Sequence, residues 1–214
     1  MLDPDRIERT VGRRGAEARA TVPDLDLSVD VDTTTAQALP FARTVVLVRA
    51  CALALRDEPR ANGSYRDGRV ELYSRVNVGL SIAGDQPELV PVLADADQKP
   101  LARLEDELGR LRDRARSGVL SAAERAGATF TLIELDAVGV VQATPLVTPP
   151  QAAALAAGAI REVPVARDGA LSTRANATLT LACDQRILTL SRAANFLNRV
   201  KEYLESSGPF TLEH

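Results

Sequence analysis

Between Asp24 and Asp32 the chain alternates without exception: Leu25, Leu27, Val29 and Val31 fall on one parity, and Asp24, Asp26, Ser28, Asp30 and Asp32 on the other. A period of two is the pattern of a strand with one buried and one wet face. Whatever else this chain builds must therefore include a sheet with apolar material laid against one side. Carboxylates spaced along an open strand do not converge on one ion, so the aspartates read as a solvated face rather than a cation site.

The remaining segments supply that apolar layer. Phe41 to Asp57 has the composition of a helix that stops ahead of Pro59, and leucines at 101, 104, 108 and 111 predict an amphipathic helix from Pro100 to about Ser117. Leu190 to Glu205 repeats the helical pattern, and Ser121 with Glu124 three residues on is a capping box opening a short helix. Strands are predicted over Arg69–Ser74, Arg75–Ala83, Leu89–Ala94, Ala128–Leu135, Ala152–Val165 and Leu171–Cys183. Turns fall at Asn62-Gly63, at Gly84 to Pro87, irregularly over Pro145 to Pro150, and as a hairpin at Arg167-Asp168-Gly169. Residues 1–20, rich in arginines and acids, read as an extended or partly helical arm ahead of one domain over 21–211. Hairpin-joined strands with only two or three long helices make the fold class α+β, not a doubly wound parallel sheet.

Composition removes several function classes. With 26 Lys and Arg against 29 Asp and Glu, the net charge of -3 leaves no basic field for nucleic acid. The one histidine is His214, and Leu212-Glu213-His214 resembles the start of an expression-tag scar, so 212–214 are set aside and histidine-based triads and metal sites go with them. Cys51 and Cys183 form no Cys-x-x-Cys pattern, which points to a reduced cytoplasmic protein without a metal site or disulfide framework. Met1 to Arg14 holds no signal-peptide core. The longest apolar stretch, Thr44 to Leu55, is broken by Arg49 and too short to span a bilayer, so no membrane association is expected.

The segment Leu181-Ala-Cys-Asp-Gln-Arg-Ile-Leu-Thr-Leu-Ser-Arg-Ala-Ala-Asn-Phe-Leu-Asn-Arg-Val-Lys-Glu-Tyr-Leu-Glu205 resembles the C-terminal part of the dihydrolipoamide acyltransferases, the catalytic cores of 2-oxoacid dehydrogenase complexes. The family pattern there is Asp-His-Arg-x-x-Asp-Gly-Ala, then Ala, Phe-Leu and a Lys/Leu/Glu-rich helix. Collinear fragments agree: Thr21-Val22-Pro23 before the alternating strand, Ala50 to Asn62 with its Ala-Leu-x-x-x-Pro-x-x-Asn pattern, and Val76-Asn77-Val78-Gly79 through Leu89-Val90-Pro91-Val92 and Ala94-Asp95-Ala96 to the Leu101 helix. Gly127 to Thr131, Pro145, Pro149-Pro150 and Ala152 to Ile160 complete a resemblance covering nearly the whole chain. It implies a fold like that of chloramphenicol acetyltransferase, a mixed β-sheet flanked by helices, in a homotrimer or larger trimer-based assembly with active sites between subunits. A core without a lipoyl-bearing segment is expected.

Two departures carry the functional expectation. Where the family has the histidine that takes a proton from the thiol of coenzyme A or dihydrolipoamide, this chain has Gln185. A glutamine amide can orient a hydroxyl or thiol but does not titrate near neutrality. The later Asp-Gly is replaced by Thr189-Leu190, removing an arginine-paired carboxylate and a glycine that permits a close turn.

Three nearby segments hold candidate substitutes. Cys183, two positions before Gln185 on a predicted strand, should face the same way, but it reads as a small buried cysteine without a partner base. Thr129 or Thr131 beside Phe130 can supply the family's oxyanion-stabilising hydroxyl, and ordinary strand threonines explain them equally well. Where Ser-Asn-Leu-Gly is usual, the chain has Ile133-Glu134-Leu135-Asp136. Glu134, taken as an exposed strand carboxylate, would be a weak base for a thiol.

The resemblance thus leaves two function classes. One is a catalytically degenerate trimeric core, binding coenzyme A or an acyl thioester that is not tightly held, or serving as a scaffold. The other is an active coenzyme A-dependent acyltransferase in which Gln185, Thr189 and Thr129 position the reactants without a histidine. An acyl thioester or a carrier protein is the partner implied by either.

Overall fold

The computed structural model describes residues 3, 5–82, 90–167, 169–206 and 210. The predicted turn at 84–87, Asp168 of the predicted hairpin and the tail at 212–214 lie outside those residues.

The alternating segment is strand β1 (Asp24–Asp32), with Val31 fully buried and the aspartates turned outward or half-covered. It pairs antiparallel along its whole length with β9 (Ala170–Asp184), from Asp24 opposite Asp184 to Asp32 opposite Asn176. Seven strands form the main sheet, in the order β1-β9-β7-β6-β4-β5, with β8 (Arg161–Arg167) added to the free half of β9. Here β4 is Val78–Ile82, β5 Val92–Leu93, β6 Phe130–Glu134 and β7 Ala153–Ala157. The β4–β6 and β6–β7 pairs are parallel and the others antiparallel, giving the predicted mixed sheet.

The apolar layer on one face comes from α3 (Arg43–Asp57), α4 (Leu101–Arg116) and α5 (Leu190–Glu205). The leucine stripe of α4, Leu101, Leu104, Leu108 and Leu111, is buried, as is the Ala193, Phe196, Leu197, Val200 and Leu204 face of α5. Phe196 meets Phe130 edge-on with ring centroids 5.6 Å apart, joining α5 to the centre of the sheet. A short helix α2 (Thr34–Gln37) follows β1, and a separate hairpin of β2 (Gly63–Arg66) and β3 (Arg69–Leu72) turns at Asp67 and Gly68, both with positive φ. The opposite face of the sheet is partly covered by the segment after β6, where Val147 packs on Val22 and Ala182.

Some boundaries differ from the sequence reading. The arm is a regular helix, α1 (Arg6–Thr21), and the capping box is formed but opens only a 3₁₀ turn, Ala123–Arg125. The stretch expected as one strand from Ala152 to Val165 is two, β7 and β8, broken at Gly158. A side chain there would stand 1.8 Å from the carbonyl oxygen of Val141, so the neighbouring backbone, not local propensity, interrupts the run.

Candidate active-site region

Gln185 follows directly on β9, in a turn rather than in the strand, and is exposed. Three contacts fix that turn. The Gln185 amide donates to the carbonyl of Pro23 at 3.0 Å, and the amides of Ile187 and Leu188 both donate to the carbonyl of Asp184 at 2.9 Å. Asp184, only 3% exposed, is gripped by Arg186 through Nε at 2.9 Å and Nη2 at 2.6 Å, and also accepts from the Arg186 amide. The Arg186 guanidinium lies 4.4 Å over the Tyr65 ring of the β2–β3 hairpin, and its pKa is raised first by the hydrogen bonds it donates to Asp184. The clamp around position 185 is thus complete, and what it presents is an amide. Thr189 and Leu190, also exposed, begin α5 immediately after the turn.

The expected common orientation of Cys183 and Gln185 does not hold. The strand ends at Asp184, so Cys183 points into the core while Gln185 reaches solvent. Burial, with Asp184 and Asp26 nearby, pushes the Cys183 thiol up to about 12, which leaves essentially no thiolate near neutrality. Its Sγ donates weakly to the Leu25 carbonyl at 3.6 Å.

Thr129 is buried, and its hydroxyl is committed: it accepts from the Asn77 amide at 3.0 Å and donates to the Asn77 carbonyl at 3.2 Å. Asn77 in turn bonds the Gly127 carbonyl and the Asp95 amide, so Thr129 locks the entries to β4 and β6. Extending the sheet register places Thr129 opposite Ala152, whose carbonyl accepts the Asp184 amide. Thr129 and the Gln185 turn are therefore two strand spacings apart, about 10 Å, and do not form one site within a chain. Thr131 donates to Gln151 at 2.8 Å.

Glu134 is not the exposed carboxylate expected. It faces the helices at 7% exposure and is surrounded by donors: Thr44 Oγ1 at 2.5 Å, Arg43 Nη1 at 3.6 Å and Arg112 Nη2 at 4.0 Å. Arg43 also stands 3.5 Å from Asp136 and donates through Nη2 to the Gly158 carbonyl at 2.6 Å. Register puts Glu134 opposite Ala157 and Leu179, four residue rows or about 13 Å along the sheet from the Cys183 row. A carboxylate held by two arginines at the far end of the sheet cannot serve Gln185 of its own chain.

Sequence reasoning missed Arg43, Arg112 and Tyr65. One signal was available: an arginine in the first turn of α3 opposes the helix dipole, and such a residue calls for a carboxylate from elsewhere. Beside this cluster, α2, α3, α5, the end of β1 and the middle of β9 line a partly open cavity of about 250 Å³. Among the described residues there is no group of three or more His, Cys, Asp or Glu able to hold a metal ion, and no helix is long and apolar enough to cross a membrane.

A mixed sheet with helices packed on one face, and a turn presented just after its longest strand, is a fold this chain shares with chloramphenicol acetyltransferase. That enzyme superposes with a TM-score of 0.57 over 95% of this chain and 98% of its own at 14% identity, a likeness of fold alone. Residues 5–211 match the family of 2-oxoacid dehydrogenases acyltransferase (catalytic domain), and the chain belongs to that family. It is 37% identical over 166 residues to the succinyltransferase component of the 2-oxoglutarate dehydrogenase complex of Bartonella vinsonii, covering 77% of this chain and 40% of that protein. Identity to the Pseudomonas aeruginosa lipoamide acyltransferase component of the branched-chain alpha-keto acid dehydrogenase complex is 29%, covering 97% of this chain and 52% of that protein. The chain thus spans about half or less of the curated relatives it matches. Among solved structures, Azotobacter vinelandii dihydrolipoamide acetyltransferase, studied for the catalytic roles of a serine, a histidine and an asparagine, superposes with a TM-score of 0.90 at 26% identity over 99% of this chain and 93% of its own. The cubic core of a pyruvate dehydrogenase multienzyme complex superposes with a TM-score of 0.89 at 26% identity, over 99% of this chain and 93% of that chain.

Proposed function

We propose that this chain is a trimer-forming acyltransferase-family core that has given up general-base catalysis and acts as a binding or scaffolding module for coenzyme A, an acyl thioester or a carrier protein. The observation carrying this reading is the clamp at Asp184 and Arg186, which holds Gln185 where the family resemblance places the catalytic histidine. Neither candidate substitute replaces the imidazole: Cys183 is buried with its thiol pushed up to about 12, and Glu134 is bound by two arginines at the far end of the sheet. The Thr129 hydroxyl is occupied by Asn77, which speaks against its acting as an oxyanion donor. Assembly around a threefold axis is supported by the cubic core among the similar structures, and a cytoplasmic setting by the two unpaired, buried cysteines.

The test is acyl transfer from acetyl coenzyme A to thiol, alcohol and amine acceptors. Free thiol release is expected at background for the native chain and for Gln185→Ala alike. Restoring both lost groups in Gln185→His/Thr189→Asp is expected to raise the rate about 10²-fold or more, the contribution of a positioned base. Turnover in the native chain that Gln185→Ala abolishes would overturn the proposal, and a monomer by sizing would overturn the trimeric part.

A further inference from the structure

A groove of about 570 Å³ lies along α4 at the β5 edge of the sheet, with apolar surface supplied by Val92, Ala94 and Leu111. Four cations line it, Lys99, Arg103, Arg110 and Arg114, against two carboxylates, Glu107 and Glu124. Both carboxylates are already used: Glu107 stands 2.6 Å from Lys99, and Glu124 2.9 Å from Arg114. Arg103 and Arg110 are exposed, and among the described residues neither has a carboxylate partner. Arg110 makes only a long bond, from Nε to the Asp106 carbonyl at 3.4 Å. In a chain of net charge -3 this groove is a local excess of positive charge, and it favours an acidic ligand.

Spacing narrows the class of ligand. Arg103 and Arg110 are seven residues apart in α4, so they leave nearly the same side of the helix about 10.5 Å apart along its axis. A single phosphate or carboxylate is too small to meet both. An extended peptide repeats its same-face side chains at about 7 and 13 Å, which misses that distance. A helix lying along α4 matches it, because residues seven apart share its face at the same rise. The apolar surface beside the arginines calls for apolar side chains on the turn between the two acids. A second copy of this chain is a poor source: on β1, Asp24 is paired with Arg19, Asp30 accepts from Thr178, Asp32 stands 3.8 Å from Arg174, and all three are on a strand.

We propose that this groove docks an acidic amphipathic helix of a different protein, with two carboxylates seven residues apart on Arg103 and Arg110. Apolar side chains from the turn between them rest on Val92, Ala94 and Leu111. Two-pronged pairing of each guanidinium with a carboxylate sets the register of the incoming helix. The groove is four strand spacings, about 19 Å, across the sheet from β9, so the proposal stands independently of whether the Gln185 turn is catalytic.

Fluorescence anisotropy with the intact protein and a labelled, lactam-bridged helical peptide tests it. The peptide carries two glutamates seven positions apart, with leucines three and four positions after the first. Saturable binding is expected, at least tenfold weaker when both glutamates are replaced by glutamine or when the second is moved two positions, off the shared face. The Arg103→Gln/Arg110→Gln protein is expected to bind the original peptide at least tenfold more weakly and to melt near the native temperature, since neither side chain has an ion pair to lose. No saturable binding up to about 1 mM peptide, equal affinity for the shifted peptide, or undiminished binding by the folded double variant would each overturn the proposal. Displacement of the peptide by an equal concentration of tripolyphosphate would overturn the helical partner and leave a general polyanion site.

Discussion

Gly158 offers the sharpest test of the packing. A Cβ on this residue would lie 1.8 Å from the Val141 carbonyl oxygen, 2.7 Å from the Val141 carbonyl carbon and 3.1 Å from the Thr178 carbonyl oxygen, all of them backbone atoms. To bring the closest contact even to 3.0 Å the chains must part by about 1.2 Å. Both are pinned beside the clash: the Gly158 amide donates to Thr178 at 2.9 Å and the Ala159 amide to Val140 at 2.8 Å. Separation on that scale breaks the Ala159 bond, leaving a buried donor that costs about 1–3 kcal/mol. Backbone displacement adds about 1–3 kcal/mol. Gly158→Ala is therefore expected to destabilise by about 2–6 kcal/mol, a fall in melting temperature of about 5–20 °C for a chain of this size. The same substitution at Gly109, in the exposed face of α4 with nothing within 4 Å of the new Cβ, is expected to stabilise by about 0.5–1 kcal/mol. Thermal melts followed by circular dichroism compare the two. A Gly158→Ala protein melting within about 2 °C of the native chain would refute the reasoning.

Two further predictions concern titration and reactivity. Burial, and then Asp24 beside it, raises the Asp26 carboxyl above its ordinary 3.8, against a smaller pull from Arg19. A folded pKa above the unfolded one means the ionised form is penalised in the fold at neutral pH, and the penalty disappears once the pH falls below the unfolded value. Asp26→Asn is thus expected to raise the melting temperature at pH 7 and leave it unchanged at pH 3; a decrease at pH 7 would count against the assignment. Cys51 and Cys183 are both buried with thiols pushed up to about 12, so an aromatic disulfide reagent at pH 8 is expected to label neither in the native protein and both after unfolding. Rapid native labelling of Cys183 would reopen it as a nucleophile.

Elements whose cause lies within a few residues were legible in the chain itself. The alternation of β1, the leucine stripe of α4, the apolar face of α5 and the pairing of Ser121 with Glu124 each follow from a local period or a local hydrogen bond, and each is present. The site was legible in one respect: which residue stands at the turn after β9, because Asp184, Gln185 and Arg186 are adjacent in a recognisable motif. Contacts made across the sheet had no such local trace. An apolar run from Ala152 to Val165 carries no sign that a backbone more than ten residues earlier will press on Gly158 and break it. Glu134 looked like an open strand carboxylate because its partners, Thr44, Arg43 and Arg112, come from helices far away in sequence. Periodicity fixes which face of an element is apolar, and so the chain alone determined an α+β fold with a sheet covered by helices, while the mixed strand directions were implied only by the family resemblance and the amide at position 185 was read directly. Only the packing of distant segments decided which polar groups are used up, which leaves Thr129 committed to Asn77 and Glu134 to Thr44 and two arginines.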